Sequence, residues 1–230
     1  MDTNCRVARS ELISIASHEL RTPLAVLLAY ATLLEENAPA AMHEHLGQVV
    51  DSAMRLKSII DEMISLQRID TGEAQVSLTN VGIASAVKEV LEDLGPLAER
   101  KEQAIKMNLP KDSVSVRADE QMLNLILSKL LSNAIKFTSE KGSISVSAKC
   151  RGETVVITLT DTGVGIPEEE LERIFQRFYQ VEDSLRREHG GLGLGLSIAR
   201  DMAELMDGRI WAESQVGQGS TFYLALPRGE

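Results

Sequence analysis

Cysteine is nearly absent from this chain of 230 residues. Its two cysteines, Cys5 and Cys150, lie far apart and show neither a CxxC nor a Cys/His spacing. A disulfide framework or a zinc site would need such a spacing. We therefore expect two unrelated free thiols in a reducing compartment.

An excess of positive charge is lacking too. The chain has 24 basic and 34 acidic residues, so its formal net charge is −10. Proteins that bind nucleic acids present a net positive field to the phosphates, so we expect no nucleic-acid partner. With 43% hydrophobic and 25% charged residues, the chain has enough apolar side chains to bury a sizeable core.

Long hydrophobic runs are also missing. The uncharged run 22–34 is shorter than the roughly 20 residues that span a bilayer. The first residues lack the basic flank and apolar core of a secretion signal. We expect no membrane segment and no signal peptide.

Apolar residues recur at helical spacing through the first 70 residues. The first seam consists of Ile13, Ala16, Leu20, Leu24, Leu27, Ala31 and Leu34, and the second of Leu46, Val49, Ala53, Leu56, Ile60 and Met63. Asn37-Ala38-Pro39 separates them, which predicts a helical hairpin. Two helices cannot enclose a core alone, so we predict a four-helix bundle made by two chains.

Strands and helices alternate after Asp70-Thr71-Gly72. The predicted strands are Gln75–Leu78, Val114–Val116, Ile144–Ala148, Val155–Leu159, Arg209–Glu213 and Ser220–Leu226. The predicted helices are Val81–Arg100, a helix capped by Asp119 that ends at Phe137, and Leu194–Met206. This pattern is typical of an α+β sandwich with helices on one sheet. We divide the chain into domains 1–71 and 72–230 and expect a mobile loop between Phe178 and Gly190.

His18, in Ser17-His18-Glu19-Leu20-Arg21-Thr22-Pro23-Leu24, is the first candidate for chemistry. At about 100° per residue it faces away from the first seam, so we expect it to be exposed. An exposed imidazole can act as a nucleophile, and Glu19 beside it can orient or deprotonate the ring. Thr22 shares its face one turn on, and Pro23 bends the helix just past the histidine. A surface histidine taken alone is usually inert.

Asp161, in Asp161-Thr162-Gly163-Val164-Gly165-Ile166-Pro167, directly follows a predicted strand. A carboxylate at a strand end can accept the exocyclic amine of adenine, while Gly163 and Gly165 let the backbone come close to the ring. Guanine presents an acceptor there, so the pattern predicts selectivity for ATP over GTP. DxGxG alone is also compatible with a plain glycine turn.

Two further features are compatible with phosphate binding. Gly191-Leu192-Gly193-Leu194-Gly195-Leu196 runs into a predicted helix and can present backbone amides, although it is neither a dinucleotide fingerprint nor a P-loop. Asn133 is a polar residue in an apolar helix, and its amide oxygen suits Mg²⁺. Lys136 can supply charge to the same phosphates. A purely structural asparagine remains an alternative.

Together, five motifs resemble the kinase core of a two-component sensor histidine kinase. In chain order they are Ser17–Leu24, Asn133-Ala134-Ile135-Lys136-Phe137-Thr138, Asp161–Pro167, Phe175-Gln176-Arg177-Phe178-Tyr179 and Gly191–Leu196. The likeness covers essentially the whole chain. It implies a dimerisation and phosphoacceptor hairpin followed by a Bergerat-type (GHKL) ATP-binding domain.

The resemblance also implies roles for individual residues. His18 would take the γ-phosphoryl group with Glu19 as base, and Thr22 would place a water for a second, regulator-phosphatase activity. Phe175 and Phe178 would anchor the hinge of a loop that closes over ATP, in which Arg186 and Arg187 are either phosphate contacts or solvated charges. The implied ATP-binding residues are Asn133, which also holds Mg²⁺, Lys136, Phe137, Asp161, Gly163, Gly165, Tyr179, Gly191, Gly193, Gly195 and Thr221.

The implied partners are a second copy of the chain and the receiver domain of a response regulator, whose aspartate takes the phosphoryl group. An upstream sensor domain, missing from this chain, would supply the signal. The resemblance implies a cytoplasmic location for this core and leaves open whether the longer protein is attached to a membrane.

One position departs from the family. Members commonly carry an asparagine four residues before the Mg²⁺ asparagine, where this chain has Lys129. A charged lysine cannot bind a metal but can contact a phosphate, so we expect altered metal or nucleotide affinity. Two alternatives stay open: a Bergerat-fold ATPase of the chaperone or topoisomerase kind, and a nucleotide-binding scaffold that has lapsed as a kinase or acts only as a phosphatase.

Overall fold

The computed structural model describes residues 20, 23–34, 39–110, 114–181 and 192–229. The chain divides into two compact units, residues 1–75 and 76–230. In the described parts of the chain, no helix is both long enough and apolar enough to cross a membrane.

The first unit contains a helical hairpin, as predicted. Its helix α1 includes residues 23–34, and its helix α2 is Ala40–Asp70. Pro39 is the N-cap of α2. The helix ends where the Thr71 hydroxyl donates to the Gln67 carbonyl (3.0 Å) and Gly72 adopts a left-handed φ of 69°, a conformation that glycine tolerates best.

The hairpin buries only part of each predicted seam. Leu24, Ala53 and Ile60 pack together, with the half-buried Leu28 and Ile64 against them. Other seam members remain 45–56% exposed, namely Leu20, Leu27, Leu34, Val49 and Leu56. One chain therefore covers one side of its seams and leaves a second apolar side open.

In its described residues, the second unit contains three α-helices and seven strands. The helices are α3 (Ile83–Arg100), α4 (Glu120–Phe137) and α5 (Gly195–Leu205). The strands are β1 (Thr79–Gly82), β2 (Ala104–Asn108), β3 (Ser115–Ala118), β4 (Ser143–Arg151), β5 (Thr154–Asp161), β6 (Arg209–Gln215) and β7 (Gly219–Pro227). Two short 3₁₀ helices, Glu168–Glu170 and Arg173–Phe175, follow β5.

A five-stranded sheet organises this unit. Its strand order is β2-β4-β5-β7-β6, in which only the β2–β4 pair is parallel. Apolar residues alternate along β4 and β5, and their buried side meets the apolar faces of the helices. A separate two-stranded sheet pairs β1 with β3. The predicted α/β sandwich is thereby confirmed.

Three local predictions differ from the structure. The first strand is Thr79–Gly82 and not Gln75–Leu78, because pairing with β3 and not the local pattern selects it. Helix α3 accordingly begins at Ile83, two residues after the predicted start, since Gly82 is extended. Strand β2 was not predicted, because it is an edge strand with a mostly exposed pattern and no apolar alternation.

Candidate active site

Asp161 lies at the end of β5, on the side of the sheet that faces the core. Its side chain is only 5% exposed. Its Oδ1 accepts from the Gly163 N–H (2.8 Å) and the Ser220 N–H (3.3 Å). Burial raises the pKa of the Asp161 carboxyl, and the two backbone hydrogen bonds act in the opposite direction. A buried, oriented carboxylate of this kind suits recognition of a donor on a ligand.

The glycines after Asp161 are required by close backbone packing. A Cβ on Gly163 would come within 2.5 Å of the Phe137 carbonyl oxygen. Gly165 has a left-handed φ of 72°, and a Cβ there would collide with the Gln215 carbonyl. The loop is thus held between the end of α4 and the end of β6.

The β6–β7 turn supports the same loop through residues that the sequence did not single out. The Ser214 hydroxyl accepts from the Ile166 N–H (2.8 Å) and donates to the Gly219 carbonyl (2.7 Å). A Cβ on Gly219 would collide with the Asp161 carbonyl. The Gly217-Gln218-Gly219 spacing before a predicted strand was the available sequence signal.

Thr221, expected near the adenine, lies on β7 beside the strand that ends at Asp161. Successive residues of a strand point to opposite faces, and Ser220 lies on the buried face of β7. The Thr221 hydroxyl lies 3.2 Å from the Thr160 hydroxyl on the other face. The β7 group that contacts the Asp161 carboxylate is the backbone N–H of Ser220.

Helix α4 carries the predicted Asn133 and Lys136. Asp119 is its N-cap, as predicted: Oδ1 accepts from the Met122 N–H (3.0 Å), and Oδ2 accepts from the Ser77 N–H (2.9 Å). Asn133 is half-buried. The Lys136 ammonium lies 4.8 Å from the centre of the neighbouring Phe137 ring. Lys129, half-buried, is one helical turn before Asn133.

The segment after the second 3₁₀ helix contains the predicted hinge aromatics. Phe175 is buried and packs edge-on against Phe222 at 6.5 Å between ring centres. Phe178 is 66% exposed and has a positive φ of 64°. Its N–H donates to the Gly193 carbonyl (3.0 Å), so this segment is joined to the glycine motif.

Tyr179 has protein partners in this structure. Its hydroxyl donates to the Glu170 carboxylate, and the Arg173 guanidinium lies 4.3 Å from the centre of its ring. Gly193 packs against the Tyr179 backbone with a left-handed φ of 70°. Gly195 is the first residue of α5.

Several predicted residues lie outside the described part of the chain. These are His18, Glu19, Thr22, Arg186, Arg187 and Gly191, together with most of the predicted mobile loop. Within the described ranges, no group of three His, Cys, Asp or Glu side chains could hold a metal. Mg²⁺ usually keeps water and substrate phosphates as ligands, so a single amide oxygen such as that of Asn133 is compatible with binding it.

Two family models match the chain. The model of the His Kinase A (phospho-acceptor) domain matches residues 8–72. The model of the histidine kinase-, DNA gyrase B- and HSP90-like ATPases matches residues 118–230. Their order and positions agree with the hairpin and the sandwich.

Similar proteins are sensor kinases. The circadian input-output histidine kinase CikA of Synechococcus elongatus is 35% identical over 226 residues, 96% of this chain and 30% of CikA. The sensor-like histidine kinase SenX3 of Mycobacterium tuberculosis is 34% identical over 222 residues, 96% of this chain and 54% of SenX3.

A solved structure agrees with these relatives. Full-length ShkA in complex with AMPPNP matches with a TM-score of 0.77 and 30% identity, over 95% of this chain and 46% of that one. The chain thus spans about half or less of the length of these proteins. It belongs to the sensor histidine kinases of two-component systems, of which it carries the phosphoacceptor and ATP-binding regions.

Proposed function

We propose that this chain transfers the γ-phosphoryl group of ATP to His18 and then to an aspartate of a response regulator. Residues 1–71 are the dimerisation and phosphotransfer domain, and residues 72–230 are the catalytic domain. The observation that carries the proposal is the buried Asp161 carboxylate, oriented at a glycine loop, in a chain that also contains a phosphoacceptor hairpin.

Asp161 is the residue that recognises adenine in this proposal. Both backbone N–H groups bind its Oδ1, so Oδ2 is the oxygen available to the adenine amine. Gly163 and Gly165 let the ring approach the backbone. The Ser220 N–H orients the carboxylate, and Thr221 next to it lines the adenine end of the site. Guanine would present an acceptor to the carboxylate, so ATP is preferred over GTP.

Helix α4 faces the phosphates. The Asn133 amide oxygen binds Mg²⁺, and Lys136 contributes positive charge from the next turn. Mg²⁺, when bound, supplies charge neutralisation for the phosphoryl oxygens. Gly191, Gly193 and Gly195 shape the backbone around the triphosphate, and Phe137 and Tyr179 complete the lining.

His18 is the nucleophile. An imidazole nitrogen attacks the γ-phosphorus in line, the bond to the ADP oxygen breaks, and Glu19 takes the imidazole proton. The phosphohistidine then passes the group to the regulator's aspartate. Thr22 positions a water for the second activity, which is hydrolysis of the regulator's acyl phosphate.

The exposed apolar side of the hairpin supports the dimer that we propose. Leu20, Leu27, Leu34, Val49 and Leu56 are exposed in one chain, although they continue the seams. A second copy can cover them and complete a four-helix bundle, the arrangement in which such seams are usually buried.

The regulator has a separate apolar surface available. Val26, Tyr30 and Leu33 are 52–67% exposed and lie at spacings of four and three residues. By helical geometry they share the side of α1 opposite the buried Leu24. At about 100° per residue these positions lie about 60–120° around the helix from the position of His18. We propose this stripe as the surface on which a receiver domain docks.

The test is incubation of the dimeric protein with γ-labelled ATP and Mg²⁺. We expect an acid-labile, base-stable label that is lost in His18→Gln and kept in His45→Gln, which changes an exposed histidine of α2. Excess unlabelled ATP should suppress labelling far more than GTP does. Nucleotide binding without any label would contradict the kinase proposal and favour the lapsed or phosphatase-only scaffold.

A further inference from the structure

The backbone carbonyls at the C-terminal end of α4 accept hydrogen bonds from two side chains of another part of the chain. The last carbonyls of a helix have no partners within the helix itself. Here the Thr138 N–H donates to the Ala134 carbonyl (3.0 Å). The carbonyls that follow accept hydrogen bonds from Lys101 and Gln103, which come directly after α3.

These hydrogen bonds are short and partly buried. The Lys101 ammonium donates to the carbonyls of Ile135 (2.9 Å) and Lys136 (3.1 Å). The Gln103 side-chain amide donates to the carbonyls of Ile135 (3.0 Å) and Thr138 (2.7 Å). Gln103 is 7% exposed. A cation at a helix C-terminus also interacts favourably with the helix dipole.

The end of α3 aims both side chains at α4. The Gln103 N–H donates to the Ala98 carbonyl and the Glu102 N–H to the Glu99 carbonyl, both at 2.9 Å. Glu102 takes the left-handed position with a φ of 53°. This is the hydrogen-bond pattern of a Schellman C-cap, and it fixes the direction in which the chain leaves the helix.

The end of α4 that Lys101 and Gln103 contact lies between Asn133 and Asp161, the two residues proposed for the two ends of the nucleotide. Asn133 and Lys136 are on the last turns of α4. The Phe137 carbonyl accepts from the Val164 N–H (3.3 Å), in the loop that follows Asp161. A shift of the α4 terminus would therefore change the distance between Asn133 and Asp161.

We propose that Lys101 and Gln103 are positioning residues for the nucleotide site. They hold the end of α4 so that the Asn133 amide and the Asp161 carboxylate engage the phosphate and adenine ends of one ATP molecule. Neither residue need touch the nucleotide. The inference rests on the proposed function, because it assigns the two ends of the nucleotide to these two residues.

The experiment compares four variants of the whole chain, at Lys101, Gln103 and Lys141. Lys101→Met removes the donor and keeps the length of the side chain, and Lys101→Arg restores a donor. Lys141→Met is the matched control. The Lys141 side chain pairs with Glu102 at 3.8 Å on the surface, and the substitution leaves the hydrogen bond from its N–H to the Lys101 carbonyl in place. Dissociation constants are measured for MgATP and for adenosine, well below the melting temperature of each variant.

We expect Lys101→Met to weaken MgATP binding by about three- to tenfold, the effect of losing one or two supporting hydrogen bonds from a charged group. Adenosine binding should change by less than twofold, since adenosine does not span both residues. Lys101→Arg should restore much of the MgATP affinity, and Lys141→Met should match the unmodified protein. Gln103→Met should show the same selective loss.

Equal MgATP affinity in Lys101→Met and the unmodified protein would overturn the inference, as would an equal loss for adenosine. The second result would indicate a general structural role. If Gln103→Met does not fold, the Lys101 variants test the inference by themselves. Failure of the unmodified protein to bind MgATP would instead contradict the proposed function itself.

Discussion

The hairpin and the ATP-binding unit differ in how completely they bury their apolar residues. Among the described residues of the first unit, the buried apolar side chains are Leu24, Ala31, Ala53 and Ile60. The second unit buries whole faces of α4, β4, β5 and β7. A sheet covered by helices closes its own core, whereas two helices leave half of each seam in water.

The difference separates two kinds of stability. The ATP-binding unit should fold by itself, and its polar groups can then be arranged for ligand recognition. The hairpin should gain its stability from association, so that its folding depends on protein concentration. Substitutions in the two units should consequently give different phenotypes.

The largest effect is expected from charge on the open side of the hairpin. In Leu27→Glu two carboxylates would enter the interface of the proposed dimer, and burying them should weaken dimerisation by about 100-fold or more. Sedimentation velocity over a concentration series measures this change. The second unit should still bind ATP, since its core is separate.

Val26→Glu is the matched control for this prediction. Val26 and Leu27 are 52% and 51% exposed, but they lie about 100° apart around α1. Val26→Glu should remain dimeric and slow transfer to the regulator. Equal dissociation of both variants would show that the seam does not define the interface.

The next effect concerns the ATP-binding unit alone. Asp161→Asn keeps the oxygen that accepts from Gly163 and Ser220 but offers no carboxylate to the adenine amine. ATP affinity should fall by about 10- to 100-fold, the cost of one mismatched buried hydrogen bond. Isothermal titration calorimetry gives the affinity, and an unchanged dimer shows that the hairpin is unaffected. Retention of full affinity would exclude Asp161 as the adenine contact.

The raised pKa of Asp161 predicts that the free energy of unfolding depends on pH, and Asp161→Asn provides the reference. Because burial raises the pKa of Asp161 in the folded state, the folded protein takes up this proton at a higher pH than the unfolded chain does. The free energy of unfolding of the unmodified protein, measured relative to Asp161→Asn, should rise as the pH falls from 7 towards the ordinary value of 3.8. Urea melts at several pH values test this, and a difference that does not vary with pH would contradict it.

The smallest effect is expected at Lys129. Lys129→Asn would place a second amide oxygen one turn before Asn133, so the Mg²⁺ concentration for half-maximal ATP binding should fall, by less than about tenfold. The exposed Lys88 of α3 provides a control variant, Lys88→Asn. Unchanged Mg²⁺ and ATP affinities in Lys129→Asn would remove any role for this lysine in the site.

Features with a local cause were predictable from the sequence. The hairpin follows from the spacing of its apolar residues, and α4 follows from the Asp119 cap and an apolar face. Strands β4 and β5 were visible as alternation with period two. The candidate Asp161 could be singled out because a carboxylate followed by two glycines at a strand end is itself a local pattern.

Features that depend on pairing were missed or misplaced. Strand β2 has little alternation and exists because β4 offers it a parallel partner. The expected strand Gln75–Leu78 gave way to Thr79–Gly82 for the same reason. The hydrogen bond from the Ser220 N–H to Asp161 was not predicted, because the register between β5 and β7 decides which residue of β7 lies beside Asp161.

The sequence by itself therefore determined the family and the two kinds of unit, and it supplied the candidate residues for the chemistry, since periodicity and short motifs report local conformation. Only the tertiary structure decided which residues support the site. Lys101 and Gln103 are separated from the carbonyls that they bind by more than 30 residues. A hydrogen bond of that range depends on the packing of α3 against α4, which no local pattern encodes.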